Sequence, residues 1–412
     1  MSENQPHVAV VGAGIGGLTA AIALRRAGLR VDVYEQAPVL SEIGAGIHLA
    51  PNGSRLLVRL GLGKRLDEVA VRPEAMEVRV WDTGAVVVRQ PMGDAWQARF
   101  DGPHYTLHRA DLHGLLAEAV PADLVHVGHR AVAVTEDVGG VRIDFAHGAS
   151  VRADVVVAAD GVHSLLRRPI AGDEPAVFSG TAAIRAVVPS AACPDLPRDA
   201  LLTWVGPAGR LLAHPVRGGR ETAFVAVVAD PTDGGDSWSR PADTAALRRA
   251  FADWEPGVRG LVEAASEAGH WTLYDREPLP RWSTARTTLL GDAAHPMLPH
   301  HGQGASQAIE DAVTLAACLA RLGTGPSGPA PALRRYEELR LEHTSRVRQG
   351  SLGGGSQRLS TTDAPPASAS PAPPSPSSSP RPGGAGMEEL VRDVTWVQRY
   401  DVEAELATAG LA

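Results

Sequence analysis

The residues that could do chemistry here fall in three loops far apart in the chain. The first is Gly12-Ala13-Gly14-Ile15-Gly16-Gly17, which follows the apolar run His7–Val11 and opens a stretch with Leu18, Ala21, Ile22 and Leu24 at helical spacing. The first glycine of such a turn permits a tight bend, the second lets backbone approach a pyrophosphate, and the third lets helix pack on strand. The helix N-terminus then faces the phosphates. About twenty residues on, Glu35 closes Val31-Asp32-Val33-Tyr34 at a strand end, where a carboxylate accepts hydrogen bonds from a ribose diol.

That turn alone speaks only for a dinucleotide. The second loop, Asp160-Gly161, ends the apolar run Val155 to Ala159, and the third, Gly291-Asp292-Ala293-Ala294-His295-Pro296, follows Leu289-Leu290. Gly302-Gln303-Gly304 then starts a helix with Ala308, Ile309, Ala312, Leu315 and Leu319 on one face. An acid at Asp292 can hold a polyol hydroxyl, and free N–H groups at the start of that helix can stabilise negative charge on a flavin ring. Three such loops together point to FAD rather than NAD as the bound dinucleotide.

The elements that must position these loops are legible as a pattern. Strand, helix and strand over residues 7 to 35 form a βαβ opening, which implies a parallel sheet covered by helices. Alternating Val/Ile segments over 76–90 and 125–157, and again at 184–188, 201–205, 211–216 and 222–228, read as strands punctuated by Gly and Pro. The expected fold is α/β: a Rossmann-like FAD-binding domain, a mostly antiparallel β-sheet substrate domain, and C-terminal helices. In chain terms, 1–175 with 281–350 form a discontinuous FAD-binding domain and 176–280 the substrate-side sheet layer. Residues 351–386, almost wholly Pro, Ser, Ala and Gly beyond 363, read as a disordered linker. Residues 387–412 read as a helical tail that docks back on the body.

Composition excludes other classes. The net charge of -8 and the lack of a Lys/Arg-rich block argue against nucleic acid, and Lys64 is the only lysine among 39 basic residues. The two cysteines, Cys193 and Cys318, suit neither a disulfide framework nor a metal site. No apolar run is long enough to span a membrane, and a strand starting near Val8 leaves no room for a signal peptide, so a cytoplasmic enzyme is expected. The sequence does not speak to oligomeric state.

The chain resembles the group A FAD-dependent aromatic hydroxylases, the para-hydroxybenzoate hydroxylase-like family, and within it the salicylate hydroxylase and 6-hydroxynicotinate 3-monooxygenase branch. The residues that carry the likeness are Gly12 to Gly17, Glu35, Ile43 to His48, His108 to Leu112, Asp160-Gly161, Gly291 to Pro296, Gln303 to Asp311, and the tail Trp396 to Asp401. The low-complexity segment departs from the family pattern, in which an ordered loop is expected.

The resemblance implies that NADH or NADPH reduces FAD and that reduced flavin captures dioxygen as a C4a-hydroperoxide. This then hydroxylates a small phenolic or hydroxylated heteroaromatic substrate. A flavin oxidase or tailoring monooxygenase acting on a secondary metabolite is the alternative. By the same resemblance Gly12, Gly14, Ile15, Gly16, Gly17, Glu35, Gln36, Arg109, Asp160, Asp292, Gly304, Ala305 and Ser306 bind cofactor. Glu35 and Gln36 belong to the adenosine ribose, Arg109 to the pyrophosphate or ribityl chain, and the backbone of 304–306 to the isoalloxazine ring. Three histidines are candidates for catalysis. His48 leaves the Gly44-Ala45-Gly46 loop, His214 stands where relatives often carry tyrosine, and His300 follows the proline turn with His301 beside it. A histidine has the intrinsic pKa to take a proton from a phenol.

Overall fold

The computed structural model describes residues 5–40, 45–172, 176–231, 239–323, 328–356 and 395–412. The βαβ opening forms as the sequence requires. Strand His7–Val11 lies between Val155–Ala158 and Arg30–Tyr34, and Thr287–Leu289 and Val125–His126 complete a five-stranded sheet whose pairs are all parallel. Its central strands are near-continuous Val/Ala runs because both faces are covered, and Val8, Val10, Val33, Val155 and Val157 are fully buried. Helix Ile15–Arg26 packs between this sheet and helix Gly304–Leu322. A three-stranded antiparallel sheet, 131–137, 140–145 and 150–153, covers one end.

The second layer is an eight-stranded sheet, antiparallel except where Ala200–Gly206 pairs in parallel with Ala75–Val80. It therefore recruits two strands, Ala75–Val80 and Val86–Pro91, from the part of the chain that the sequence pattern groups with the dinucleotide half. Helices Thr244–Ala250 and Pro256–Ala264 cover its outer face, with Trp204, Phe251, Trp254 and Leu261 in their core. A two-stranded sheet, Gly46–Leu49 with Tyr105–His108, bridges the layers. The Thr106 hydroxyl donates to the Pro215 carbonyl of the large sheet at 2.7 Å.

The expected linker begins inside a helix: Ala330–Ser356 runs through its first residues, while 357–386 lie outside the described residues. The tail docks back on the body through Thr395–Arg399 and Val402–Thr408, with Val397, Val402 and Leu406 buried. The start of that tail, 387–394, is also outside the described residues. No described helix is long and apolar enough to cross a membrane.

Candidate active site

The glycine turn takes three distinct duties. Gly12 adopts φ +106, and a β-carbon there would strike the Ala159 carbonyl; one on Gly17 would strike the Gly12 carbonyl. Both hold the strand–helix bend shut. Gly14 alone faces open space, and it lines two hollows, one of about 300 Å³ and one of about 130 Å³. Gly16 lies against Leu290 and Ala308, which seats helix 15–26 on helix 304–322.

The smaller hollow holds Glu35 and His113. The Glu35 carboxylate accepts from the N–H groups of Ala13 and Ala37, both at 2.8 Å, so its direction is fixed while lone pairs stay available for a diol. Gln36 is exposed and lines neither hollow.

The larger hollow is a cleft between the sheets. Gly14, Ile15, Gly16, Asp292, Gly304 and Ala305 line one side, and His48, Arg109, Arg185, Leu212, His214 and Val225 the other. Arg185, Val225 and Leu212 sit in register across three neighbouring strands, and His214 lies two residues beyond Leu212 on the same face. Helices 15–26 and 304–322 both begin there without a side-chain cap, so first-turn N–H groups stand free for an anionic ligand. Two hollows joined at Gly14, with an acid at one end and a two-sheet cleft at the other, fit an extended FAD.

Behind the cleft stands a buried ionic frame. Asp311 accepts from the Gly291 N–H at 3.0 Å, pairs with His295 at 2.6 Å, and receives the Arg340 guanidinium at 2.8 Å. Arg340 also pairs with Glu310 at 2.7 Å, and Glu310 accepts from the Asn52 amide at 2.6 Å. Burial pushes the Glu310 carboxyl up to about 7, whereas His295 and Arg340 overcome the burial of Asp311 and hold it down at about 2. Arg167 clamps the second loop to the third, donating to the carbonyls of Ala293 at 2.7 Å and Asp292 at 3.0 Å.

Histidines form part of the opposite wall of the cleft. His48 is half-buried, its ring lies 6.3 Å from that of His214, and both line the cleft. Burial, with Arg210 nearby, brings the His48 imidazole down to about 4, and burial with His48 nearby brings His214 to about 3. Both are neutral near pH 7, and the His48 Nδ1 and both His214 ring nitrogens have no hydrogen-bond partner among the described residues.

The other predicted residues occupy different places. Asp160 does not line the cleft; one carboxylate oxygen accepts from the N–H of Leu165 at 3.0 Å, and burial raises its pKa. The Ser306 side chain packs on Gly53 instead of lining the cleft. His300 is also absent from the lining: the short turn Pro299–His301 presents Pro299 and Gly302 there, and the His300 carbonyl accepts from Arg210. His301 lies against Gly350.

Arg185, His104 and Arg340 are what sequence reasoning missed. Arg185 sits mid-strand over the Trp271 ring at 5.2 Å, and burial together with Arg109 lowers it to about 10. In the sequence it is one arginine among many, and only strand register puts it on the cleft face.

Comparison with known proteins agrees with this geometry. The sequence profile of the FAD binding domain family matches residues 5–351. A 3-amino-4-hydroxybenzoate 2-monooxygenase of Streptomyces platensis is 44% identical over 86% of this chain and 89% of its own length. A 6-hydroxynicotinate 3-monooxygenase of Bordetella bronchiseptica is 40% identical over 85% and 91%. The structure of a salicylate hydroxylase substrate complex superposes with a TM-score of 0.82 at 28% identity, covering 100% of this chain and 99% of the other.

Proposed function

Because this chain belongs to the FAD binding domain family and is an FAD-dependent, NAD(P)H-consuming aromatic monooxygenase, we propose that its substrate is an aromatic acid bearing a ring hydroxyl and that His48 takes the hydroxyl proton. The observation that carries this reading is the pair of neutral imidazoles, half-buried His48 and buried His214, on one wall of the cleft with ring nitrogens left unpartnered among the described residues. A neutral imidazole in a dry wall accepts a phenolic proton, and the phenolate so formed is the more reactive ring. His214 holds the same end of the ring. Arg185, a half-buried cation on the same sheet face, receives the carboxylate. His300 is not among the residues lining the cleft, so this reading gives it no role.

Bound FAD supplies the hydride acceptor and the activation of dioxygen. The chain supplies the rest. Glu35 takes the ribose diol, Gly14 and the start of helix 15–26 the pyrophosphate, and Arg109 the phosphate or ribityl oxygens. Asp292 takes the ribityl hydroxyls, and the N–H groups at Gly304 and Ala305 face the ring. Gly12, Gly17, Asp160 and Ser306 shape the loops from behind. NAD(P)H consumption suits a cytoplasmic enzyme.

The deciding assay adds 3-amino-4-hydroxybenzoate, 6-hydroxynicotinate or salicylate to FAD-loaded protein and follows NAD(P)H and product. Stimulated NAD(P)H oxidation with a hydroxylated product is expected for at least one. Turnover giving hydrogen peroxide alone from an amine or alcohol would favour an oxidase instead.

A further inference from the structure

A third histidine, buried, stands behind the first. The ring of His104 lies 5.4 Å from that of His48 with the planes only 11° apart, and neither of its nitrogens has a hydrogen-bond partner among the described residues. His48 lines the cleft and not the hollow beyond; His104 lines that hollow, of about 50 Å³, and not the cleft. The hollow is also lined by Arg72, Glu74, Asp94 and Trp96, and both carboxylate residues are solvent-exposed. The indole N–H of Trp96 is buried and unpartnered there too. An imidazole buried with both nitrogens unsatisfied is costly to keep, which calls for a use.

We propose that His104 is a relay through which the proton that His48 takes from the substrate hydroxyl leaves for solvent by way of the Glu74–Asp94 hollow. This rests on the reading of His48 as the group that accepts the proton. The substrate O–H bond breaks and its electron pair stays on oxygen as phenolate. Each neutral ring gains a proton at one nitrogen and loses one from the other, and the proton ends on water or a carboxylate at the mouth. Parallel rings do not aim N–H at each other's lone pairs, so the step between them runs through a bridging water or a turn of the His104 ring. Burial, His48 and His214 disfavour the imidazolium of His104. The other charged groups lining its hollow are Arg72, Glu74 and Asp94. Burial and the two neighbouring rings hold His104 well below the usual histidine range, so it passes a proton on without trapping it.

The test is stopped-flow mixing of FAD-loaded enzyme with 3-amino-4-hydroxybenzoate or 6-hydroxynicotinate, whichever stimulates NAD(P)H consumption, reading phenolate absorbance and proton release with an indicator dye. His104→Phe, which keeps the packing, should slow phenolate formation by about tenfold or more. His104→Ala should be slowed likewise and be restored by imidazole in the buffer, which a purely structural role would not produce. Phenolate formation at the wild-type rate in His104→Phe, with an unmoved pH profile, overturns the relay. The wild-type rate in His48→Gln overturns instead the reading on which it rests. If neither His104 variant retains FAD, the surface pair Glu74→Gln with Asp94→Asn decides: slowed proton release supports the path, and an unchanged rate overturns it.

Discussion

Gly302 closes directly on the imidazole of His48: at φ +61, a β-carbon on Gly302 would come within 2.0 Å of its Nε2. The turn after Pro299 thus sets the position of the proposed base. Gly302→Ala must push His48 aside and strain a left-handed backbone by about 1–3 kcal/mol. FAD should stay bound while the ratio of hydroxylated product to NAD(P)H consumed falls, which product analysis against NAD(P)H absorbance would read.

His48 near 4 means the acceptor is already free at neutral pH. The acid limb of the hydroxylation rate should therefore lie well below 6.5, with no gain from raising the pH from 6.5 to 8 on account of this group. His48→Gln should lower hydroxylation by roughly 10²–10⁴. A wild-type acid limb centred near 6.5 would contradict a base whose pKa is held down.

The histidine wall also ties stability to pH. His48 and His214 have folded pKa values below the unfolded 6.5, so below pH 6.5 the unfolded chain binds protons that the fold excludes. Each should cost up to about 1.4 kcal/mol per pH unit as pH falls from 6.5 towards 4. Glu310, raised to about 7, works in the opposite sense between 4.5 and 7. The difference between wild type and His214→Gln in urea midpoints at pH 7, 6 and 5 isolates the histidine share, and His214→Gln should show the shallower fall.

Arg340 is fully buried between Glu310 and Asp311. Arg340→Met leaves two carboxylates without their cation, at a cost of about 3–5 kcal/mol. Because Asp311 also holds the Gly291 N–H and His295, FAD affinity should fall with stability, as urea unfolding and a flavin titration would show. Loss of stability with undiminished FAD affinity would separate the ionic frame from the cofactor loop.

The dinucleotide turn was legible because its glycines are dictated by local sterics: Gly12 and Gly17 meet backbone within their own βαβ unit and its neighbour. Asp292 was legible for a similar reason, standing between a strand and an uncapped helix. The cleft wall was only partly so. His48 and His214 were read out with their loops, but Arg185 reaches the cleft through pairing between strands far apart in sequence, which no local spacing records. His300 does not line the cleft, whereas Pro299 and Gly302 of the same turn do, because one residue in a tight turn changes which side chain faces inward. The Asp311–Arg340 pair joins two helices that each look merely amphipathic when read alone.

Arg55, in the helix that presses Gly53 onto Ser306, donates to the carbonyl of Gln398, 343 residues later, and also to that of Tyr400. The ring of Tyr400 stacks on His343 at 3.6 Å, beside Glu310. The floor of the flavin loop is thus fastened by residues that a ribosome makes long after the glycine turn has emerged. Cofactor loading is therefore a late event in the life of the chain, and a nascent protein stalled before residue 398 should hold the turn without holding the flavin.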